Sequence, residues 1–168
     1  TWFPRVALRM VWGVFDLTPV RITITEGISR EGMAVIFEKA IPAFNKEKFI
    51  AETGNDEGYL FPDTYLFFPN VATEDIVSTM KSNFDKKIAL LENDIKKSGK
   101  TTKEIIIMAS ILEKEARITL DREIISGVLW KRIQIGMPLQ VDAPFVYYID
   151  KGTYNLTTKD LKTDSPYN

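Results

Sequence analysis

TTKEIIIMASILEKEAR, Thr101 to Arg117, is the most informative run of the 168-residue chain. Thr101 and Glu104 have the S/T-x-x-E spacing of a capping box, so a helix starts here. Ile105, Ile106, Ile107, Met108, Ala109, Ile111 and Leu112 then cover nearly every direction at ~100° per residue, the pattern of a helix buried on all sides. Glu113, Lys114 and Glu115 arrive before that helix ends. On the helical wheel Glu113 falls beside Ile106 and Ala109, inside the apolar arc. Glu115 falls between Met108 and Ile111, roughly 160° away, so the two acids cannot form one close carboxylate pair. A carboxyl that leaves an apolar wall for a cleft is placed for proton transfer. The plainer alternative is that both acids pair with basic neighbours at the core edge.

Moving outward toward the C-terminus, Thr119 or Asp121 starts another helix, Arg122 to about Ile133, with Ile125, Val128, Leu129 and Arg132 on one side. Gly136 and Pro138 break it. Pro138 to Ile149, PLQVDAPFVYYI, reads as a short extended piece followed by a turn of helix, with Gln140 and Asp142 on one strand face. Thr157 can cap a last turn at Lys159-Asp160-Leu161, and the chain stops at SPYN with no closing signal. Toward the N-terminus, Thr73 caps a long helix over about Glu74 to Lys97, with Glu74 and Asp75 at its positive end. Its apolar stripe is Ile76, Met80, Phe84, Ile88, Leu91 and Ile95, and Ser98-Gly99 ends it.

Glu57 to Pro69, EGYLFPDTYLFFP, is dense in aromatics and contains Pro62, which demotes a central strand to an edge or to two short strands with a kink. Its rings either fill the core or form a groove wall, where interleaved Glu57, Asp63 and Thr64 suit sugar recognition. Upstream, Arg21 to Thr25 alternates as a strand, and Glu26-Gly27 turns the chain. Ser29 caps a helix from Arg30 to Ala40, Pro42 stops it, and Asn45 caps a short helix over Lys46 to Glu52. The first fifteen residues read as an amphipathic segment or strand. The order β-α, β, α, α, α, β, α predicts an α+β fold.

Composition excludes as much as it implies. With no histidine and no cysteine, catalytic triads, Cys/His zinc sites and a histidine base are all ruled out, so acid–base chemistry falls to Asp, Glu, Lys or Tyr. A net charge of −1 gives no basic face for nucleic acid. No stretch reaches the ~18 apolar residues of a membrane span, and the N-terminus lacks the pattern of a signal peptide. The absence of cysteine is compatible with export.

Glu57–Phe67 (EGYLFPDTYLF), Ala109–Ala116 (ASILEKEA), Ile135–Ile149 (IGMPLQVDAPFVYYI) and Asp164–Asn168 (DSPYN) occur in an order and spacing that resemble the endolytic murein lytic transglycosylases, the MltG or YceG-like group. The resemblance covers roughly Arg21 to Asn168. It implies a small LysM-like β-α subdomain over Val20 to Glu52, hence a division into residues 1–52 and a catalytic subdomain at 53–168 with a small sheet. It implies that Glu113, first acid of E-K-E, is catalytic. The substrate implied is the peptidoglycan glycan strand, cut at the β-1,4 bond between N-acetylmuramic acid and N-acetylglucosamine. It further implies cell-wall synthases as partners and an enzyme held outside the cytoplasmic membrane by one N-terminal helix. That helix has no counterpart in these residues. Two departures stand out: Ala143-Pro144-Phe145 replaces the commoner Pro-Thr-Val or Ala-Thr-Val, and the sequence stops at Asn168, ahead of the family's glycine-proline segment, as expected of a catalytic subdomain truncated at its C-terminus.

Such chemistry needs one acid, which protonates the glycosidic oxygen and then takes the proton of the sugar's C6 hydroxyl. No cofactor and no metal is expected. Glu57, Gln140 and Asp142 are candidates for binding sugar polar groups, and Tyr65 and Tyr147 for stacking. Glu115 is expected to pair with Arg122 or Arg132. Two rivals remain: a hydrolytic muramidase, which needs a second carboxylate about 5–9.5 Å from the first (Glu57, Asp63 or Asp142), and a non-catalytic wall-binding or cell-division scaffold.

Overall fold

A computed structural model describes residues 18–116, 118–145 and 157. The N-terminal apolar segment, Arg117, Tyr147 and the DSPYN motif lie outside the described residues, as does the turn expected after Thr157. The elements run β1 (Val20–Thr23), α1 (Arg30–Ala40), α2 (Lys46–Glu52), β2 (Thr64–Phe67), α3 (Thr73–Ser98), α4 (Thr102–Glu115) and α5 (Thr119–Gln134). The fold class is α+β, as the element order predicts. The chain divides into two compact units, Thr1–Asn93 and Asp94–Asn168.

In the first unit, local chemistry sets the helix starts. Ser29 accepts a bond from Gly32 N and begins α1, and Asn45 accepts one from Lys48 N and begins α2. Between these helices the chain turns at Pro42. β1 and β2 pair antiparallel with Ile22 opposite Tyr65, and the bond from Ile24 N to Asp63 O (3.0 Å) prolongs the pairing. Pro62 therefore sits just before its strand, where no ladder donor is needed. Strand alternation sends Ile22, Tyr65 and Phe67 inward and leaves Leu66 exposed. Phe37 is wholly buried at the centre, with the rings of Phe44, Phe49 and Phe67 at 5.5, 5.9 and 6.1 Å. Of the aromatics in the Glu57–Pro69 run, Tyr65 and Phe67 serve this core, while Phe68 is exposed.

α3 closes this core with Ile76, Val77 and Met80, and one turn further on Phe84 is buried against Tyr59 at 5.1 Å. Its stripe is buried only that far, and Leu91 is half exposed. Thr73 is not the cap expected from the sequence, because its hydroxyl is spent on another helix. It is the first helical residue, the preceding Ala72 carbonyl accepts from Ile76 N, and the buried Thr73 hydroxyl accepts from Asn45 N at 3.0 Å. One threonine thereby ties the start of α3 to the start of α2.

In the second unit, the Thr101–Glu104 capping box forms in full and starts α4. The helix is not buried on all sides, however. Met108 and Ile111 are its buried residues, and Ile107 is 44 % exposed. The reason is the size of the core: Met108, Ile111 and Leu129 form the buried cluster, with Leu112, Ile125, Trp130, Leu139 and Val141 packed around it. A cluster that small covers one helix face. α5 starts at Thr119, preceded by Ile118, with no side-chain cap, so neither Thr119 nor Asp121 plays the capping role expected from sequence. Its end is a Schellman turn. Gly136 lies at φ 68°, its N–H bonds Ile133 O, and Met137 N bonds Arg132 O at 2.8 Å. The segment after Pro138 is a loop and not the extended strand expected. Gln140 has φ 54°, a left-handed conformation that breaks strand alternation, so Gln140 and Asp142 do not share a strand face. Among the described residues, no helix is long and apolar enough to cross a membrane.

Candidate active site

Glu113 lies in the last turn of α4. The turn closes where the buried Ala116 donates its N–H to Leu112 O at 2.9 Å, and the chain reverses into α5. That reversal brings the first turn of α5 beside the last turn of α4. Arg122 Nη2 donates to Glu113 Oε2 at 3.0 Å, and the two side chains are 39 % and 33 % exposed. Arg122 was expected to serve Glu115, but Glu115 is exposed on another side of the helix and Arg122 takes Glu113 instead. Arg132, the other expected partner, donates its Nη1 to Leu139 O at 2.6 Å.

That second arginine matters for the site. It pins the loop after α5, whose Leu139 and Val141 pack on the same cluster as Leu112, the neighbour of Glu113 in the chain. Gln140 is exposed between those two anchors in its left-handed conformation. Asp142 is half-buried, and its carbonyl accepts from Phe145 N at 3.0 Å. Glu113, Gln140 and Asp142 therefore belong to one unit and are carried by elements that share one apolar cluster.

Glu57 and Tyr65 belong to the other unit. Glu57 Oε2 receives the backbone N–H of Arg30 at 3.3 Å and lies 3.2 Å from Arg30 Nε, which fastens its loop to the start of α1. Arg30 also donates to Ile50 O at 3.2 Å, so this ion pair locks three segments together. Tyr65 is buried, its ring stacks on Phe67 at 5.6 Å, and its hydroxyl donates to Phe61 O at 2.6 Å. A sugar needs an open ring face, and the strand alternation that turns Tyr65 inward removes it. The stacking role expected of Tyr65 does not fit this placement. Burial raises the Tyr65 phenol above its ordinary pKa, partly opposed by Asn83. Asp63 is held lower than an ordinary carboxyl, first by the Asn83 amide and then by Thr64 N–H. Tyr147 lies outside the described residues. Among the described residues, no group of three acidic side chains could hold a metal ion.

The description of the YceG-like family matches residues 5–168. The chain belongs to the YceG-like family. This YceG-like chain is 37 % identical over 113 residues to the endolytic murein transglycosylase of Bacillus subtilis (strain 168), matching 67 % of the chain and 31 % of that protein. It is 36 % identical over 117 residues to the endolytic murein transglycosylase of Streptococcus pneumoniae (strain R6), again over 67 % of the chain but 21 % of the relative. The chain thus spans under a third of the length of these curated relatives. A crystal structure of a YceG-like protein from Listeria monocytogenes superposes with a TM-score of 0.79 at 27 % identity, covering 98 % of the chain and 63 % of that protein. Sequence reasoning missed the Arg122 partner of Glu113. The signal was available in the nine-residue spacing across an αα-turn, which sets one helix's end beside the next one's start.

Proposed function

We propose that this chain carries the chemistry of an endolytic peptidoglycan lytic transglycosylase, with Glu113 as the one acid–base residue. The cut is made at the β-1,4 bond between N-acetylmuramic acid and N-acetylglucosamine. Glu113 gives its proton to the glycosidic oxygen as the bond to C1 breaks, and the electron pair leaves with the N-acetylglucosamine hydroxyl. The resulting carboxylate takes the proton of the C6 hydroxyl while that oxygen bonds C1, closing a 1,6-anhydro ring. No water, cofactor or second carboxylate takes part, which suits a chain without histidine or cysteine. The observation that carries the reading is Glu113 itself. It is a third exposed at a helix end, and only Oε2 is bonded among the described residues. Gln140, exposed in a strained conformation on a pinned loop, is the side chain best suited to meet the sugar's polar groups. A glycan-strand substrate supports an enzyme that acts outside the cytoplasmic membrane, with the synthases of new strands as its partners. The compact β1–α1–α2 order, with Phe37, Phe44 and Phe49 packed together, supports a LysM-like reading of Val20–Glu52, although its core is completed by β2 and α3.

The test is a digest of peptidoglycan by the parent protein and by Glu113→Gln, with products identified by mass. New anhydro-muramyl ends from the parent, reduced by about 10²-fold or more in the variant, are expected. Reducing ends would replace this mechanism with hydrolysis, and strand binding without turnover would replace it with a scaffold.

A further inference from the structure

The proposed chemistry assigns Glu113 a role and leaves Arg122 without one. We infer that Arg122 is the positioning residue of that site. It holds Glu113 by one oxygen, presents the other to the substrate, and stabilises the charge that appears when the proton leaves. This rests on the transglycosylase reading above.

Two observations and the shape of the guanidinium converge. The bond from Arg122 Nη2 goes to Oε2 alone, so among the described residues Oε1 is left without a hydrogen bond. Arg122 Nε is buried and has no hydrogen-bond partner among the described residues. An arginine carries Nε–H and Nη2–H on the same edge of its planar guanidinium, and that edge matches a carboxylate with two parallel bonds. Here half of it is used. The second donor, on the same edge as the one that bonds Oε2, is unspent.

A buried donor without a partner is normally unfavourable, since it has given up water for nothing. It becomes useful when an acceptor arrives during the reaction. While Glu113 is protonated it is a weaker acceptor, and the single Oε2 contact orients it. As the proton passes from Oε1 to the glycosidic oxygen, full negative charge develops on the carboxyl, and Nε can take up a second bond. An interaction that strengthens as charge develops lowers the barrier without tightening ground-state binding. The structural account of the pair is weak, because an ion pair this exposed contributes little to stability.

Soluble uncrosslinked glycan strands and the parent, Arg122→Gln, Arg122→Lys, Glu113→Gln and double Gln proteins test this. Arg122→Gln should lower kcat about 10²- to 10³-fold with little change in KM, the size of effect seen when one charge-stabilising donor is removed. Arg122→Lys should recover part of the loss, since an ammonium restores the counter-charge but not the two-pronged edge. In the Glu113→Gln background, Arg122→Gln should remove nothing further, because the two side chains act as one unit. Melting temperatures close to the parent's keep folding out of the comparison. Anhydro products formed at parental kcat by Arg122→Gln would overturn the positioning role while leaving the reaction intact. A change in KM alone, or additive losses in the double variant, would overturn it as well. An inactive parent would overturn both.

Discussion

At the scale of single residues, the same side chains that look like ligands in the sequence become structural when their partners are known. Tyr65 sits in an aromatic run and looks like a sugar platform, yet strand pairing turns it inward, where its hydroxyl bonds Phe61 O. Burial, the leading cause, raises its ionisation above the unfolded value of 10.0. The sign follows directly. A group whose folded pKa is raised stabilises the fold fully below the unfolded value, and loses that stabilisation as pH climbs through the folded one. Thermal melts of the parent should therefore fall steeply above about pH 10. Tyr65→Phe should be less stable near neutrality by about 1 kcal/mol, for the lost hydrogen bond, but should decline less over the alkaline range. Parallel curves for the two proteins across pH 8–11 would show that Tyr65 is not the titrating group. Glu57 teaches the same lesson through charge, since its carboxylate is spent on Arg30. Neither outcome could be read from residue type, because both depend on partners 27 residues away or across a strand pair.

At the scale of elements, what was legible was local. Ser29, Asn45 and Thr101 each lie three residues before the amide they cap, and all three helix starts follow from that spacing. What was not legible was how much of each helix finds something to pack against. The apolar residues of α4 predict burial on every side, and the second half of the α3 stripe predicts a continuous core, but a three-residue cluster covers only one face of α4. With so little burial, the ends of α4 carry a larger share of its stability. Thr101→Ala should then cost about 1 kcal/mol in chemical denaturation of the second unit. Its partner gives the pH dependence. Glu104 is held below its ordinary 4.5, first by the Thr101 amide and then by its hydroxyl. A depressed carboxyl stabilises the fold above the unfolded pKa and ceases to do so as pH falls through the folded one. Glu104→Gln should flatten the acid limb of stability below about pH 4.5, and an unchanged limb would mean that the capping box is open in solution.

At the scale of the whole molecule, the two units differ in how their cores are built, and the chemistry is assigned to the one with less. The first unit buries an aromatic centre closed by two strands and three helices, with Phe37, Phe49, Ile76 and Met80 fully buried. The second depends on Met108, Ile111 and Leu129, and on Leu139 and Val141 from the loop that carries Gln140. Leu129 is the contribution of α5 to that buried cluster, and it sits under the same helix whose first turn supplies Arg122. Truncating a buried leucine usually costs about 2–5 kcal/mol, a large fraction of what so small a cluster can provide. Leu129→Ala should therefore loosen α5 against α4, separate Arg122 from Glu113 and lower the yield of anhydro-muramyl products at least as far as Arg122→Gln does. Amide spectra of β1, β2 and α1 should stay unchanged. Hydrogen exchange of the variant distinguishes the possibilities: protection lost only in α4 and α5 means that the second unit opens by itself, as its small core predicts. Protection lost throughout, with the first unit unfolding at the same denaturant concentration, would mean that the continuous α3 helix couples the two into one cooperative molecule.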